Sequence, residues 1–231
     1  MLRPKVLLSW SSGKDSAWTL HVLRQRNEVD VVGLLTTINT RFDRVAMHGT
    51  RQTLVKAQAD AARLPLWEVP LPWPCSNDIY EEAMSAACAS AVQQGISAIA
   101  FGDLFLEDVR RYREDRLRDT GLAPLFPLWG RKTRELISEM IDGGLRARIV
   151  CADPSKFPAD FVGRDLDANL LSQLPPAVDP CGENGEFHTF AHAGPMFREP
   201  ISIKAGECVT RDGFVFADVL PISTAAPTTS S

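Results

Sequence analysis

The stretch "LLSWSSGKDSAW", Leu7 to Trp18, decides how the rest of the chain is read. A short apolar run ends in small hydroxyl residues and a Gly-Lys pair. Ala17, Leu20 and Leu23 then fall on one stripe of a helix predicted over Ser16–Asn27, with Trp18 and Val22 beside them. A strand that runs through small residues into a helix exposes backbone N–H groups at the positive end of the helix dipole, which suits an anion. The spacing is not Gly-x-x-x-x-Gly-Lys-Ser/Thr, because Leu8 stands five residues before Gly13 and Asp15 follows Lys14. A carboxylate beside phosphates makes chemical sense through a bridging magnesium ion, so Asp15 is the candidate metal ligand. Ser11, Ser12 and Ser16 are candidate hydroxyl donors and Lys14 a point charge. The competing reading is a plain strand–helix turn with an exposed lysine.

Outward from this loop, buried strands are expected at "KVLLSW" (5–10), "VDVVGLLTT" (29–37) and "ISAIAF" (96–101), with a shorter one at "LWEVP" (66–70). Helices are expected over Gln52–Arg63 and over 79–92. In the latter, Ile79/Tyr80, Ala83/Met84, Ala87/Cys88 and Ala91/Val92 repeat every four residues, after N-cap candidates Ser76, Asn77 and Asp78. Alternating strands and helices at this spacing predict an α/β fold, a doubly wound parallel sheet with right-handed crossovers. Past residue 127 the rhythm changes. A helix capped by Thr133 and ending at Gly143, a strand at "LRARIV" (145–150) and an irregular stretch over 154–200 follow. Asp212-Gly213 between two strand-like runs then signals a hairpin. The expected organisation is residues 1–127 as a nucleotide-binding domain, 128–222 as a smaller α+β domain, and 223–231 as a disordered tail.

The 231 residues are 45% hydrophobic and carry a net charge of −4, so no broad basic surface for nucleic acid is expected. No apolar run reaches membrane-spanning length. The N-terminal run has neither the apolar core nor the cleavage site of a signal peptide. Five scattered cysteines without Cys-x-x-Cys spacing point to a reducing, cytoplasmic setting. Cys181, His188 and His192 lie close together, but three ligands in one loop without a fourth are a poor zinc site. Cys88 and Cys151 read as core.

Ser11-Ser12-Gly13-Lys14-Asp15-Ser16 resembles the Ser-Gly-Gly-Lys-Asp-Ser loop of the PP-loop ATP pyrophosphatases, with Ser12 where Gly is usual. "GDLFLEDVRRYRE" (102–114), "DPCGENGEFHTF" (179–190) and "MHG" (47–49) resemble signature segments of the ATP-binding family that includes diphthine–ammonia ligase. Asn184 and His188 stand where that ligase usually has Gly and Glu. The resemblance implies an adenine nucleotide alpha-hydrolase-like fold, ATP and Mg2+. It also implies an amide-forming reaction, in which a carboxylate is adenylated with release of pyrophosphate and then transferred to ammonia or an amine. It places ATP at residues 11–16, His48, Gly102 and Asp103, and catalysis on Lys14, Asp15, Glu183, Glu186 and His188, with His188 as a proton shuttle near neutral pH. It places the other substrate at Glu107, Arg110, Arg113, Asn184, Gly185 and Thr189.

The residues themselves leave other readings open. Asp103 also suits an N-cap, and His48 an ordinary loop position. The helix arginines also suit a solvated face with pairs Glu107–Arg111 and Arg110–Glu114. At the level of function, a tRNA-modifying adenylase and a non-enzymatic ATP-binding sensor share the loop. Neither the acid, the amine nor the oligomeric state follows from the sequence, and a homodimer stays open.

Overall fold

Val6, Leu7 and Leu8 have no solvent exposure at all, because successive residues of this strand feed two different cores. Val6 and Leu8 pack on one side of the sheet and Leu7 on the other. The computed structural model describes residues 2–45 and 49–222. His48, a candidate nucleotide contact, and the tail 223–231 lie outside the described residues.

In chain order the elements are β1 (Lys5–Ser9), α1 (Lys14–Arg26), β2 (Asp30–Asn39), β3 (Arg44–Val45), α2 (Gln52–Ala62), β4 (Leu66–Leu71), α3 (Asn77–Gln93), β5 (Ala98–Ala100), α4 (Glu107–Leu117) and β6 (Ala123–Leu125). They continue with α5 (Thr133–Asp142), β7 (Arg146–Ala152), a 3-10 turn (Ala159–Phe161), α6 (Ala168–Ser172), β8 (Phe187–Ala193), β9 (Ile203–Arg211) and β10 (Phe214–Pro221).

The first sheet is mainly parallel: β4 pairs with β2, β2 with β1, β1 with β5, and β5 with β6. Chain order runs from β1 toward β4 on one side and toward β6 on the other, so the sheet reverses at β1. The loop that follows β1 therefore stands at the topological switch point, where open α/β sheets bind ligands. Pro124 sits in the edge strand β6, as a residue with no N–H to donate should. The short β3, which the sequence did not announce, pairs antiparallel with Ile38 and Asn39 of β2, past the Ser9–Leu35 pair where β1 ends.

The second sheet is antiparallel, in the order β8-β7-β10-β9. Its hairpin turns at Asp212 and Gly213, both with positive φ, as a tight two-residue turn demands. Two sequence expectations need correction here. Thr133 opens α5 rather than capping it, since Lys132 holds the cap position without a side-chain bond. The stretch 154–200 is not irregular throughout, for it contains α6 and the strand β8. That strand was hidden because Phe187, Thr189, Phe190 and Ala191 are all buried, which erases the alternation by which half-exposed strands are read.

One continuous core joins the two sheets. It runs from Leu8, Leu20 and Leu54 through Leu136 and Met140 of α5 to Ile149, Phe187 and Phe190. At the opposite margin Asp218 of β10 accepts hydrogen bonds from Arg44 at 3.0 Å and from Arg51. The α3 stripe is only half used. Cys88 and Ala91 are buried, whereas Tyr80, Ala83 and Met84 are half-buried and Ile79 is exposed. The N-terminal half of α3 stands off the sheet and leaves a cavity.

Candidate functional site

The phosphate-type loop is the N-terminus of α1. Gly13 is its N-cap and contributes no side-chain acceptor; the first helical N–H, that of Lys14, is taken from outside the helix by Thr189 Oγ1. Ser12 adopts φ +73°, which explains why glycine is usual there; a side chain in this region costs about 1–2 kcal/mol. Its hydroxyl bonds Thr50 Oγ1 at 2.8 Å and is fully buried, so it is not presented to a phosphate. Replacing Ser12 by Gly trades relief of strain against loss of that bond, worth about 1 kcal/mol. The expected net change in stability is under about 1 kcal/mol by urea unfolding, with pyrophosphate affinity unchanged.

Ser11 stays available. It accepts a long hydrogen bond from Gly13 N at 3.3 Å and lies 3.3 Å from Ser16 Oγ. Ser16 donates to Gly13 O at 3.0 Å. Gly102, just past β5, passes so close to the loop that an added Cβ would lie 3.0 Å from the Asp15 carbonyl carbon and 3.1 Å from Ser16 N. Only glycine lets that strand end meet the loop without displacing it.

Lys14 does not lie exposed. Its ammonium is buried, 2.7 Å from Asp15 Oδ2, donates to the backbone carbonyl of Cys181, and lies 5.5 Å from the centre of the Phe187 ring. Burial works against its charge, but Asp15, Cys181 and Glu183 outweigh it and hold Lys14 above the ordinary lysine value. Burial pushes the Asp15 carboxyl up, an effect Lys14 only partly offsets. Asp15 Oδ1 is buried with no hydrogen-bond partner among the described residues.

The segment 179–189 closes over this pair. Glu183 accepts from Leu104 N at 2.8 Å, so it bridges the second lobe to the loop after β5. Glu186 is buried, and its Oε1 accepts from Asp179 N at 2.9 Å and from Asn184 Nδ2 at 3.2 Å. It braces the turn, and so does Asn184, whose carbonyl accepts from Lys156. Gly185 supplies a positive φ there. Thr189 is a seat for the loop, accepting from Lys14 N at 3.1 Å. These geometries give Glu186, Asn184, Gly185 and Thr189 bracing duties, while Glu186 Oε2 stays buried with no hydrogen-bond partner among the described residues.

Burial pushes Glu183 up to about 7, reinforced by Asp15 and Asp103 and opposed by the Leu104 amide and Lys14. Burial, with Lys14 adding to it, pushes His188 down to about 4, so it is neutral at neutral pH. The two shifts act oppositely on stability. Between 4.5 and about 7 the folded state keeps a proton on Glu183 that the unfolded chain has lost, so this group makes stability fall as pH rises. Between 6.5 and about 4 the unfolded chain binds a proton on His188 that the folded state lacks, so this group makes stability fall as pH drops. Glu183→Gln removes the first effect alone. The variant should lose stability on acidification more steeply than wild type over that range, read from urea midpoints; parallel curves would contradict the assignment.

Asp103 is not a helix cap, a position held by Leu106. It pairs with Arg113 at 2.5 Å in a two-point contact, and Arg113 lies 4.5 Å from the centre of the Phe101 ring. Arg113 lines the cavity beneath α3. Arg110 does not, since it pairs with Glu114 at 2.7 Å and stacks on Phe126 and Trp129, and Glu107 is exposed to solvent. The cavity, of about 530 Å³, runs from Ser11, Thr36 and Thr37 to Tyr80, Met84 and Arg113. The hydroxyl of Thr36 is buried there without a partner among the described residues. Thr36, Met84 and Gln58, the last a buried amide beneath the loop, are site residues the sequence reading missed. They stand in elements that looked purely structural.

Comparison with known proteins agrees with this geometry. Residues 132–218 match the family model described as Diphthamide synthase C-terminal domain. The diphthine–ammonia ligases of Bos taurus and Homo sapiens are each 30% identical to the chain over 151 residues, which cover 63% of this chain and 56% of theirs. That of Danio rerio is 32% identical over 152 residues, covering 59% of its length. The matched region thus spans a little over half of these relatives. Over the matched residues the chain is therefore similar to the diphthine–ammonia ligases and to the diphthamide synthase C-terminal domain, and its loop stands at the switch point of a doubly wound sheet.

Proposed function

We propose that the protein binds ATP with its β- and γ-phosphates on residues 11–16 and its nucleoside in the cavity beneath α3, and uses it to convert a carboxylate into an amide. The observation that carries this reading is the N-terminus of α1, whose N-cap Gly13 offers no side-chain acceptor, with Ser11 opening onto a large cavity whose Thr36 hydroxyl lacks a partner among the described residues. A buried hydroxyl without a partner costs about 1–3 kcal/mol, which a bound nucleoside would recover. Asp15 Oδ1 likewise has no partner among the described residues, as suits a magnesium ion held by one carboxylate plus phosphate oxygens. Bound there, magnesium would supply charge neutralisation to the phosphates.

In this reading the substrate carboxylate oxygen attacks the α-phosphorus, the bond to the bridging oxygen breaks, and pyrophosphate leaves. The acyl adenylate then loses AMP to ammonia, which gives the amide and one proton. Loop N–H groups and Lys14 meet the charge that develops on phosphorus. Glu183, poised near neutrality beside Lys14, takes the proton from the attacking amine. The relatives' name supplies ammonia as the donor and diphthine as their acceptor; the acceptor of this chain stays open, since Asn184 and His188 replace the usual Gly and Glu. We further propose the domain division at residue 127 and a site built from both parts.

Exchange of labelled pyrophosphate into ATP tests the first half-reaction. Exchange that requires a carboxylate and not ammonium is expected. ATP binding with no exchange for any acid offered, including a peptide carboxylate, would leave a sensor as the better reading.

A further inference from the structure

Gln58 is a polar residue with no solvent exposure in the middle of α2, surrounded by the apolar face that Leu54, Val55, Ala59 and Ala62 provide. A buried carboxamide is costly unless its hydrogen bonds are made. Its Oε1 accepts from the Trp10 indole at 2.8 Å, and its Nε2 donates to Ser12 O at 3.0 Å and to Ala191 O at 2.6 Å. The indole only donates and the two carbonyls only accept, so the orientation of the amide is fixed by its neighbours. Neither Glu nor Leu can reproduce the pattern.

Two of these partners matter for the site. Ala191 belongs to β8, and its N–H also donates to Ser12 O at 2.9 Å. The carbonyl of Ser12 is therefore held from two directions, by α2 and by β8. In a planar trans peptide the C=O and the following N–H point opposite ways. Holding Ser12 O inward thus aims the Gly13 N–H outward, to the side of Ser11, which lines the large cavity. The positive φ of Ser12 is what turns this peptide over, and it persists because the surroundings over-determine it.

We propose that Gln58 is a positioning residue for phosphate binding, which aims the Gly13 N–H by locking the Ser12–Gly13 peptide against the second lobe. The proposal rests on the reading of residues 11–16 as the phosphate site. Gln58→Met keeps the length and removes the bonds; Gln58→Glu keeps the shape and sets an oxygen against two carbonyls. Met140→Ala, in α5 away from the loop, serves as a control for lost stability. Affinities for pyrophosphate and for adenosine are measured at a temperature where each variant is folded by circular dichroism.

At least a tenfold loss of pyrophosphate affinity is expected in whichever Gln58 variant folds, with adenosine affinity kept and Met140→Ala unchanged for both ligands. Wild-type pyrophosphate affinity in a folded Gln58 variant, or an equal loss in Met140→Ala, overturns the proposal. If wild type binds no pyrophosphate, it is the phosphate reading that fails. The Gly13 amide resonance then decides whether Gln58 orients the peptide: a large shift in Gln58→Met supports the lock, and an unmoved resonance refutes it.

Discussion

Lys14→Ala is expected to abolish detectable AMP formation and to lower stability by about 3–5 kcal/mol, the cost of breaking a buried ion pair from one side. The size follows from where Lys14 stands. Its ammonium is buried against Asp15 and the Cys181 carbonyl, so its loss leaves a partly buried carboxylate near Asp179 and Glu183 without its cation. It also removes a tie between the loop and the second lobe. Removing both charges together separates the two effects. A Lys14→Met, Asp15→Asn double variant should regain most of the lost stability, because replacing a whole buried pair is often near neutral. It should remain inactive. Urea unfolding and AMP release, measured on the three proteins, check this; a double variant as unstable as Lys14→Ala would show that the pair is not the cause.

Gly182→Ala is expected to cost about 2–5 kcal/mol and most of the activity, whereas Gly185→Ala three residues on should cost about 1 kcal/mol. Both glycines have positive φ, +69° and +78°, so each substitution carries the same backbone strain. They differ in surroundings. A Cβ on Gly182 would lie 2.8 Å from the Phe187 carbonyl oxygen and 3.0 Å from its ring, but one on Gly185 would meet only the end of Lys156 at 4.0 Å. Phe187 is fully packed in the core and cannot retreat, so the loop must move instead, taking with it the Cys181 carbonyl and Glu183. Thermal unfolding of the two variants gives the ranking directly. Equal losses would mean that strain, not crowding, governs this loop.

Much of the first sheet was legible in the sequence because its strands are buried on both faces and its helices are amphipathic; runs such as "KVLLS" and "SAIAF" have few other readings. The second lobe was less legible. The hairpin announced itself through Asp212-Gly213, but β8 did not, since it carries polar residues that bond the loop rather than face water. The site shows the same division. Residue types at 11–16 spoke for an anion, yet the sequence offered three serines as equal donors. The structure assigns Ser12 to Thr50, because only a tertiary contact reveals which hydroxyl is consumed. Arg113 and Arg110 lie one turn apart on α4 and looked equivalent. Asp103 holds one at the cavity, and Phe126 and Trp129 hold the other away from it. His188 was read by its ordinary titration, which ignores the burial that keeps it neutral.

The proposed reaction cuts ATP at its α-phosphate. Phosphorus NMR of the purified protein with ATP, magnesium, ammonium and a pool of carboxylates that includes peptide acids tests it most directly. AMP and pyrophosphate in equal amounts are expected; ADP with inorganic phosphate would rule out cleavage at the α-phosphate.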